Sequence, residues 1–197
     1  MSDPTTIGVY DSRAADYAAS TDERKGADPR LAAFIAACPE GGRVLDLGCG
    51  PGAPAAEMAR AGLRVDALDA SATMVEMASR RAGINARQAS FDDIEGCAVY
   101  DGIWANFSLL HAPRSEMPDH LSRIYRALKP GGALHLAMKL GSGEARDRLG
   151  RFYTYYGEEE LAGLLAAAGF TLLTRRRADS EGFAGGSDPF LVLTARA

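Results

Sequence analysis

The chain of 197 residues predicts an α/β fold: a mostly parallel, seven-stranded sheet closed by a C-terminal antiparallel hairpin. Three observations carry that expectation. Short apolar runs alternate with segments whose apolar residues recur at helical spacing, the pattern of strand–helix–strand units. A glycine cluster, Gly48-Cys49-Gly50-Pro51-Gly52, follows the apolar run Val44–Leu47 and opens a helix, so the chain reads strand, tight turn, helix. Two apolar runs near the end, Phe170–Arg176 and Phe190–Ala195, flank the glycine-rich loop 182–187 and read as a hairpin.

The elements follow in order. Residues 1–27 are polar, with Tyr10, Ala14 and Tyr17 at helical spacing. That face either docks on the core or folds over a ligand as a lid, with a tyrosine or Arg13 reaching in. Asp28-Pro29 starts a helix whose apolar side is Leu31, Phe34, Ile35 and Cys38, and Gly41-Gly42 ends it. After the first strand and the glycine loop, a helix over 53–61 leads to strand two, 63–69, which ends on Asp69. Ser71 caps a helix with Met74, Val75 and Met77 inward, and Ile84–Ala89 is strand three. Val99–Asn106 is strand four, Pro118–Leu128 a helix and Ala133–Met138 strand five, entered through Lys129-Pro130-Gly131-Gly132. A cation-rich loop over 139–151 precedes a helix over 158–168 that stops at Gly169.

Composition narrows the classes. The length is that of one domain, 1–197, with residues 1–27 as an N-terminal lid or cap segment. Net charge −4 argues against a dedicated nucleic-acid surface. No apolar run approaches the ~18 residues a membrane span needs, and the polar start carries no signal core. Cys38, Cys49 and Cys97 are odd in number and lack metal-ligand spacing, which suits a reduced, cytoplasmic setting and no bound metal.

The ligand class turns on Asp46. The glycine loop opens a helix, so backbone N–H groups and a positive helix end are expected to face a ligand. Asp69, about 20 residues past the first glycine, suits a ribose diol. A dinucleotide pyrophosphate, however, would meet the Asp46 carboxylate. S-adenosylmethionine carries no phosphate but has an ammonium and a sulfonium, which Asp46 favours. The spacing Gly48-x-Gly50-x-Gly52 also departs from G-x-G-x-x-G. D-x-G-x-G-x-G with the spaced Asp69, together with L-x-P-G-G before strand five, resembles the class I S-adenosylmethionine-dependent methyltransferase family over about residues 40 to 197.

The resemblance implies a three-layer Rossmann-like methyltransferase fold and S-adenosylmethionine as cofactor, with S-adenosylhomocysteine as product and no metal. It implies cofactor contacts from Asp46, Gly48, Cys49, Gly50, Asp69, Ala70 and Met74, and from Asn106 at the end of strand four. Ser90 falls where the family places a polar residue beside the adenine amine, with Phe91 as the apolar neighbour against the ring. Tyr17 belongs to a Y-x-x-x-A-x-x-Y segment that the family often uses in a lid. Asn106, Phe107, Ser108 and His111 sit where acceptor and methyl group should meet, because ligands gather at the carboxyl ends of parallel strands. His111 is a candidate general base, or else a histidine that caps or packs the next helix. His135 reads as packed within strand five and His120 as lying on a polar helix face.

Lys139, Arg146, Arg148 and Arg151, followed by Tyr153, suit a small polar or anionic acceptor, or else form a solvated loop paired with Glu144, Asp147 and Glu158. The expected activity is in-line methyl transfer to a small molecule. An RNA- or protein-modifying enzyme and a non-catalytic cofactor-binding module are the alternatives.

Overall fold

The computed structural model describes residues 3–22, 28–181, 183, 185 and 187–197. Residues 1, 2 and 23–27 of the expected lid segment, and 182, 184 and 186 of the expected hairpin loop, lie outside the described residues.

The chain begins with two short helices, α1 (Pro4–Ser12) and α2 (Ala14–Asp22), in place of one continuous helical face. Asp3 caps α1 by accepting from the Thr6 amide at 2.8 Å, and Pro4 supplies the fixed φ of the first turn. Asp28 and Pro29 do the same for α3 (Pro29–Ala36). The alternation then runs β1 (Arg43–Leu47), α4 (Ala53–Arg60), β2 (Arg64–Asp69), α5 (Ala72–Ser79), β3 (Ile84–Gln88), β4 (Tyr100–Asn106), α6 (Met117–Ala127) and β5 (Leu128–Lys139). Past β5 the structure departs from the expected loop. A small hairpin, β6 (Glu144–Arg146) with β7 (Phe152–Thr154), stands apart from the main sheet. Helix α7 (Glu158–Ala167) and the hairpin β8 (Thr171–Glu181) and β9 (Ser187–Arg196) complete the chain.

The main sheet has seven strands in the order β3-β2-β1-β4-β5-β9-β8. Every pairing up to β5 is parallel, and β9 is antiparallel to both β5 and β8. Strand parity divides the core into two layers. Leu45, Leu47, Ile103, Ala105, Leu134 and Leu136 face one side and pack with α6 and α7 through Leu121, Ile124, Leu161 and Leu165. Val44, Val65, Ala67, Trp104 and Ala133 face the other and pack with α3, α4 and α5. Asp46 and His135 share the parity of this second side, so two polar residues enter the sheet beneath α3 and α4. His120, expected on a polar helix face, is 1% exposed and packs edge-on to Phe91, because α6 lies deeper against the sheet than its polar neighbours imply.

Leu121 is fully buried in α6, whereas Leu173 on the edge strand β8 is 56% exposed. Leu121→Ala is expected to cost about 2–5 kcal/mol in urea unfolding. Leu173→Ala should stay within about 0.5 kcal/mol of the parent in the same measurement.

Candidate functional site

The loop after β1 turns back on itself. Gly48, Gly50 and Gly52 all adopt positive φ (71°, 52° and 79°), a conformation that side-chain-bearing residues rarely take. A Cβ on Gly48 would fall 2.3 Å from the Ser108 Cβ, and one on Gly52 2.9 Å from the Ala78 Cβ. The amides of Gly48 and Cys49 donate to the Leu68 carbonyl at 2.7 and 2.9 Å, and Gly52 N donates to Cys49 O at 3.0 Å. Gly50 N donates to Asp69 Oδ2 at 2.8 Å. Pro51 has no N–H. The expectation of loop amides open to a ligand is therefore corrected for these four: three tie the loop to the end of β2 and the Gly52 amide closes the turn on Cys49.

Two acids flank the loop. Asp69 also accepts from Ser71 N at 2.9 Å. Each carboxylate oxygen has two lone pairs, so two backbone bonds leave acceptor capacity for a diol. Burial raises its pKa. Asp46, at the end of β1, is 2% exposed, and its Oδ2 has no hydrogen-bond partner among the described residues. Burial, reinforced by the nearby charge of Asp69, pushes its pKa up to about 8. Neighbouring Trp104 Nε1 and Ser108 Oγ are likewise buried without partners among the described residues.

Two cavities meet at this loop. One, of about 90 Å³, is lined by Asp69, Ala70, Met74, Phe91, Ser108 and His111, with Thr6, Ile7 and Tyr10 of α1 above. The other, of about 320 Å³, is lined by Asp46, Cys49, Trp104, Glu57, Arg60 and Arg81. Tyr17, Gly48, Gly50, Asn106 and Phe107 border both. Phe107 holds φ 57°, an uncommon value for a residue with a side chain, at the turn out of β4.

The structure thus gathers Asp46, Gly48, Cys49, Gly50, Asp69, Ala70, Met74, Phe91, Asn106, Tyr17 and His111 around one junction. Ser90 stands outside it. Its hydroxyl bonds Asp93 Oδ2 at 2.8 Å and caps the short 3-10 turn Phe91–Asp93, so it lines neither cavity. That departs from the adenine contact expected of it.

The cationic group is also differently placed. Lys139 pairs with Asp188 at 2.6 Å, Arg146 with Asp3 at 2.8 Å and the 2%-exposed Arg151 with Asp147 at 2.7 Å. Tyr153 is buried between His111 and Lys139, its ring centroid 4.2 Å from the Lys139 ammonium nitrogen. None of Lys139, Arg146, Arg151 and Tyr153 lines either cavity. Of the acids expected to pair with this group, Asp147 does so, whereas Asp3 and Asp188 come from distant parts of the chain.

His111 joins this cluster to α1. Its Nδ1 lies 2.6 Å from the Phe152 carbonyl, which can only accept, so Nδ1 carries the proton. Nε2 therefore accepts from the Tyr10 hydroxyl at 3.0 Å, and that hydroxyl accepts from Arg151 Nη1 at 3.0 Å. Desolvation lowers the His111 pKa to about 4. Its basic lone pair is engaged while Tyr10 is docked, which opposes a general-base role in this arrangement. Asp11, with no signal in the sequence, anchors α1 by accepting from Ser71 Oγ at 2.5 Å and Thr73 N at 3.2 Å. Phe152 N donates to Thr6 Oγ1 at 2.8 Å. Among the described residues no three His, Cys, Asp or Glu side chains are grouped to hold a metal ion.

The lowered His111 pKa sets a pH dependence. Between the unfolded value near 6.5 and the folded value of about 4, the unfolded chain binds a proton that the folded chain does not, so stability falls as pH drops through that window. Urea midpoints from pH 7 to 4.5 should fall more steeply for the parent than for His111→Gln. Parallel profiles would place the His111 titration elsewhere.

Comparisons with known proteins agree with this geometry. Residues 44–132 match the family described as methyltransferase domain. The chain is 33% identical over 136 residues to a malonyl-[acyl-carrier protein] O-methyltransferase of Enterobacter lignolyticus, covering 67% of this chain and 53% of that protein. It is 34% identical over 143 residues to a cypemycin N-terminal methyltransferase of a Streptomyces species, covering 69% and 57%. The chain therefore spans just over half the length of these curated relatives. Among solved structures, the 1,6-didemethyltoxoflavin-N1-methyltransferase of Burkholderia thailandensis, with 1,6-didemethyltoxoflavin and S-adenosylhomocysteine bound, superposes with a TM-score of 0.79 at 27% identity, covering 98% of this chain and 87% of that one. By sequence and by fold alike, the chain belongs to the class I S-adenosylmethionine-dependent methyltransferase family.

Proposed function

We propose that this chain transfers the methyl group of S-adenosylmethionine to a small polar acceptor. One observation carries the reading: Asp46 presents a buried carboxyl oxygen with no partner among the described residues, beneath a loop whose Gly48, Cys49, Gly50 and Gly52 amides already have acceptors. A cationic, phosphate-free cofactor fits that pair of facts and a dinucleotide does not. Asp46 and the backbone of Gly48 would face the amino-acid end of the cofactor, Asp69 the ribose, and Met74 with Phe91 the apolar face of the base. Bound S-adenosylmethionine supplies a methyl group on a good leaving group, so alignment in a dry cleft is the protein's main contribution.

Helices α1 and α2 serve that exclusion of water. Thr6, Ile7, Tyr10 and Tyr17 cover the smaller cavity, and Asp11 fastens α1 to the start of α5. The part of the site beside Asp69, Met74 and Phe91 measures only about 90 Å³ beneath α1, so α1 lifts to admit the ribose and base. The Tyr10–His111–Arg151 chain then acts as the latch that re-forms on closure. The domain is single, 1–197, and the described part of the 1–27 segment, α1 and α2, is its lid.

The cations near the site do not argue for an anionic acceptor, since Lys139, Arg146 and Arg151 already face carboxylates. The acceptor is small because the lid leaves little room beside the cofactor. A protein-borne acceptor is the second reading, supported by two relatives whose names specify an acyl carrier protein and a peptide terminus. Nucleic acid is a poor partner for a chain of net charge −4. A cytoplasmic setting accords with the unpaired Cys38, Cys49 and Cys97, and no helix among the described residues is long and apolar enough to cross a membrane.

Labelled methyl donor incubated with separated metabolite and protein fractions tests the two readings directly, and label confined to the protein fraction would reverse their order. In calorimetry, S-adenosylhomocysteine should bind the parent and NAD should not. Asp69→Ala should weaken S-adenosylhomocysteine by about 1.5–3 kcal/mol while circular dichroism stays native. Unchanged affinity in that variant would remove Asp69 from the site.

A further inference from the structure

His135 is 1% exposed in the middle of β5, a costly place for a polar ring unless it is satisfied. It lies beside Trp104 in the β4–β5 register, and the two rings stack at 3.6 Å between centroids and 14° between planes. Its Nε2 is 3.1 Å from Asn106 Oδ1. An amide oxygen only accepts, so the ring holds its proton on Nε2. Burial drives the imidazole pKa down to about 3, with the charge of Arg30 adding to it, so the ring stays neutral. The stack fixes the ring plane, and an Nε2–H donating to Oδ1 holds the oxygen end of the Asn106 amide toward the ring.

The consequence falls on the cleft. With Oδ1 engaged, the free end of Asn106 is its amino group, a pure donor, and no other hydrogen bond of this side chain is made within the described residues. Asn106 borders both cavities, at the junction where cofactor and acceptor converge. Building on the methyl-transfer reading above, we propose that His135 is a positioning residue that holds Asn106 as a hydrogen-bond donor. The acceptor molecule then presents an oxygen or nitrogen lone pair to Asn106 beside its reacting atom. A competitor offering an N–H at that point leaves two donors face to face and is rejected.

The tautomer is tested first, in the uniformly 15N-labelled parent. Long-range 15N–1H spectra should show His135 protonated on Nε2 and unchanged from pH 8 to pH 5. A proton on Nδ1, or a midpoint near 6.5, would overturn the proposal without any substitution. Kinetics follow on the acceptor found by the extract screen. His135→Leu should raise the acceptor KM about tenfold while the Kd for S-adenosylhomocysteine stays within about twofold, and His135→Gln, which keeps an N–H within reach, should restore most of the loss. Parent-like kinetics in His135→Leu, or equal losses in KM and Kd without rescue, would leave His135 a packing residue only. Failure of the parent to bind S-adenosylhomocysteine would instead strike the methyl-transfer reading, with the tautomer result standing apart from it.

Discussion

Asp46 brings a carboxyl group to the parallel part of the sheet and leaves one of its oxygens without a hydrogen-bond partner among the described residues. An isolated buried charge is costly, so the group holds its proton up to a pKa of about 8 unless a cation joins it. Much around it follows from that constraint. The glycine loop above directs its amides to Leu68 O and Asp69, away from Asp46. Small or apolar residues, Cys49, Ala55 and Met58, fill the layer below, and no salt bridge to Asp46 forms among the described residues. The site thus holds a local cost to stability that a cationic ligand can relieve, as functional sites often do.

The same loop shows why the sheet had to come first. Gly48 can approach Ser108 only because it lacks a Cβ, and Ser108 is there because β4 runs parallel beside β1. The positive-φ turn at Phe107 carries the chain from β4 across the cleft, so Asn106, Ser108 and His111 all face the loop. One crossover geometry therefore positions both halves of the site.

The sheet was legible in the sequence because its signals are local. Apolar runs, the glycine cluster and the Ser71 and Asp28 caps each lie within a few residues of the feature they specify. What escaped was set by distance. The sequence allows the cations either to grip an acceptor or to pair with Glu144, Asp147 and Glu158; Arg151 does pair with Asp147, but Arg146 meets Asp3 across 143 positions and Lys139 meets Asp188 across 49. Ser90 misled for the opposite reason: its partner, Asp93, is only three residues away, and the local cap takes the hydroxyl. The β6–β7 hairpin has strands of three residues each, too short for a period to show. His135, expected to pack within strand five, is 1% exposed, whereas His120, expected on a polar helix face, is just as buried because α6 packs deeper than its polar neighbours imply.

The pairing of Asp46 with a cationic ligand is open to one direct measurement. Calorimetric titration of the parent with S-adenosylhomocysteine at pH 7, in two buffers of different ionisation enthalpy, counts the protons exchanged on binding. Because Asp46 is mostly protonated before binding and ionised beside an ammonium after it, about one proton should be released, and Asp46→Asn should abolish the release. Identical heats in the two buffers for the parent would contradict the account.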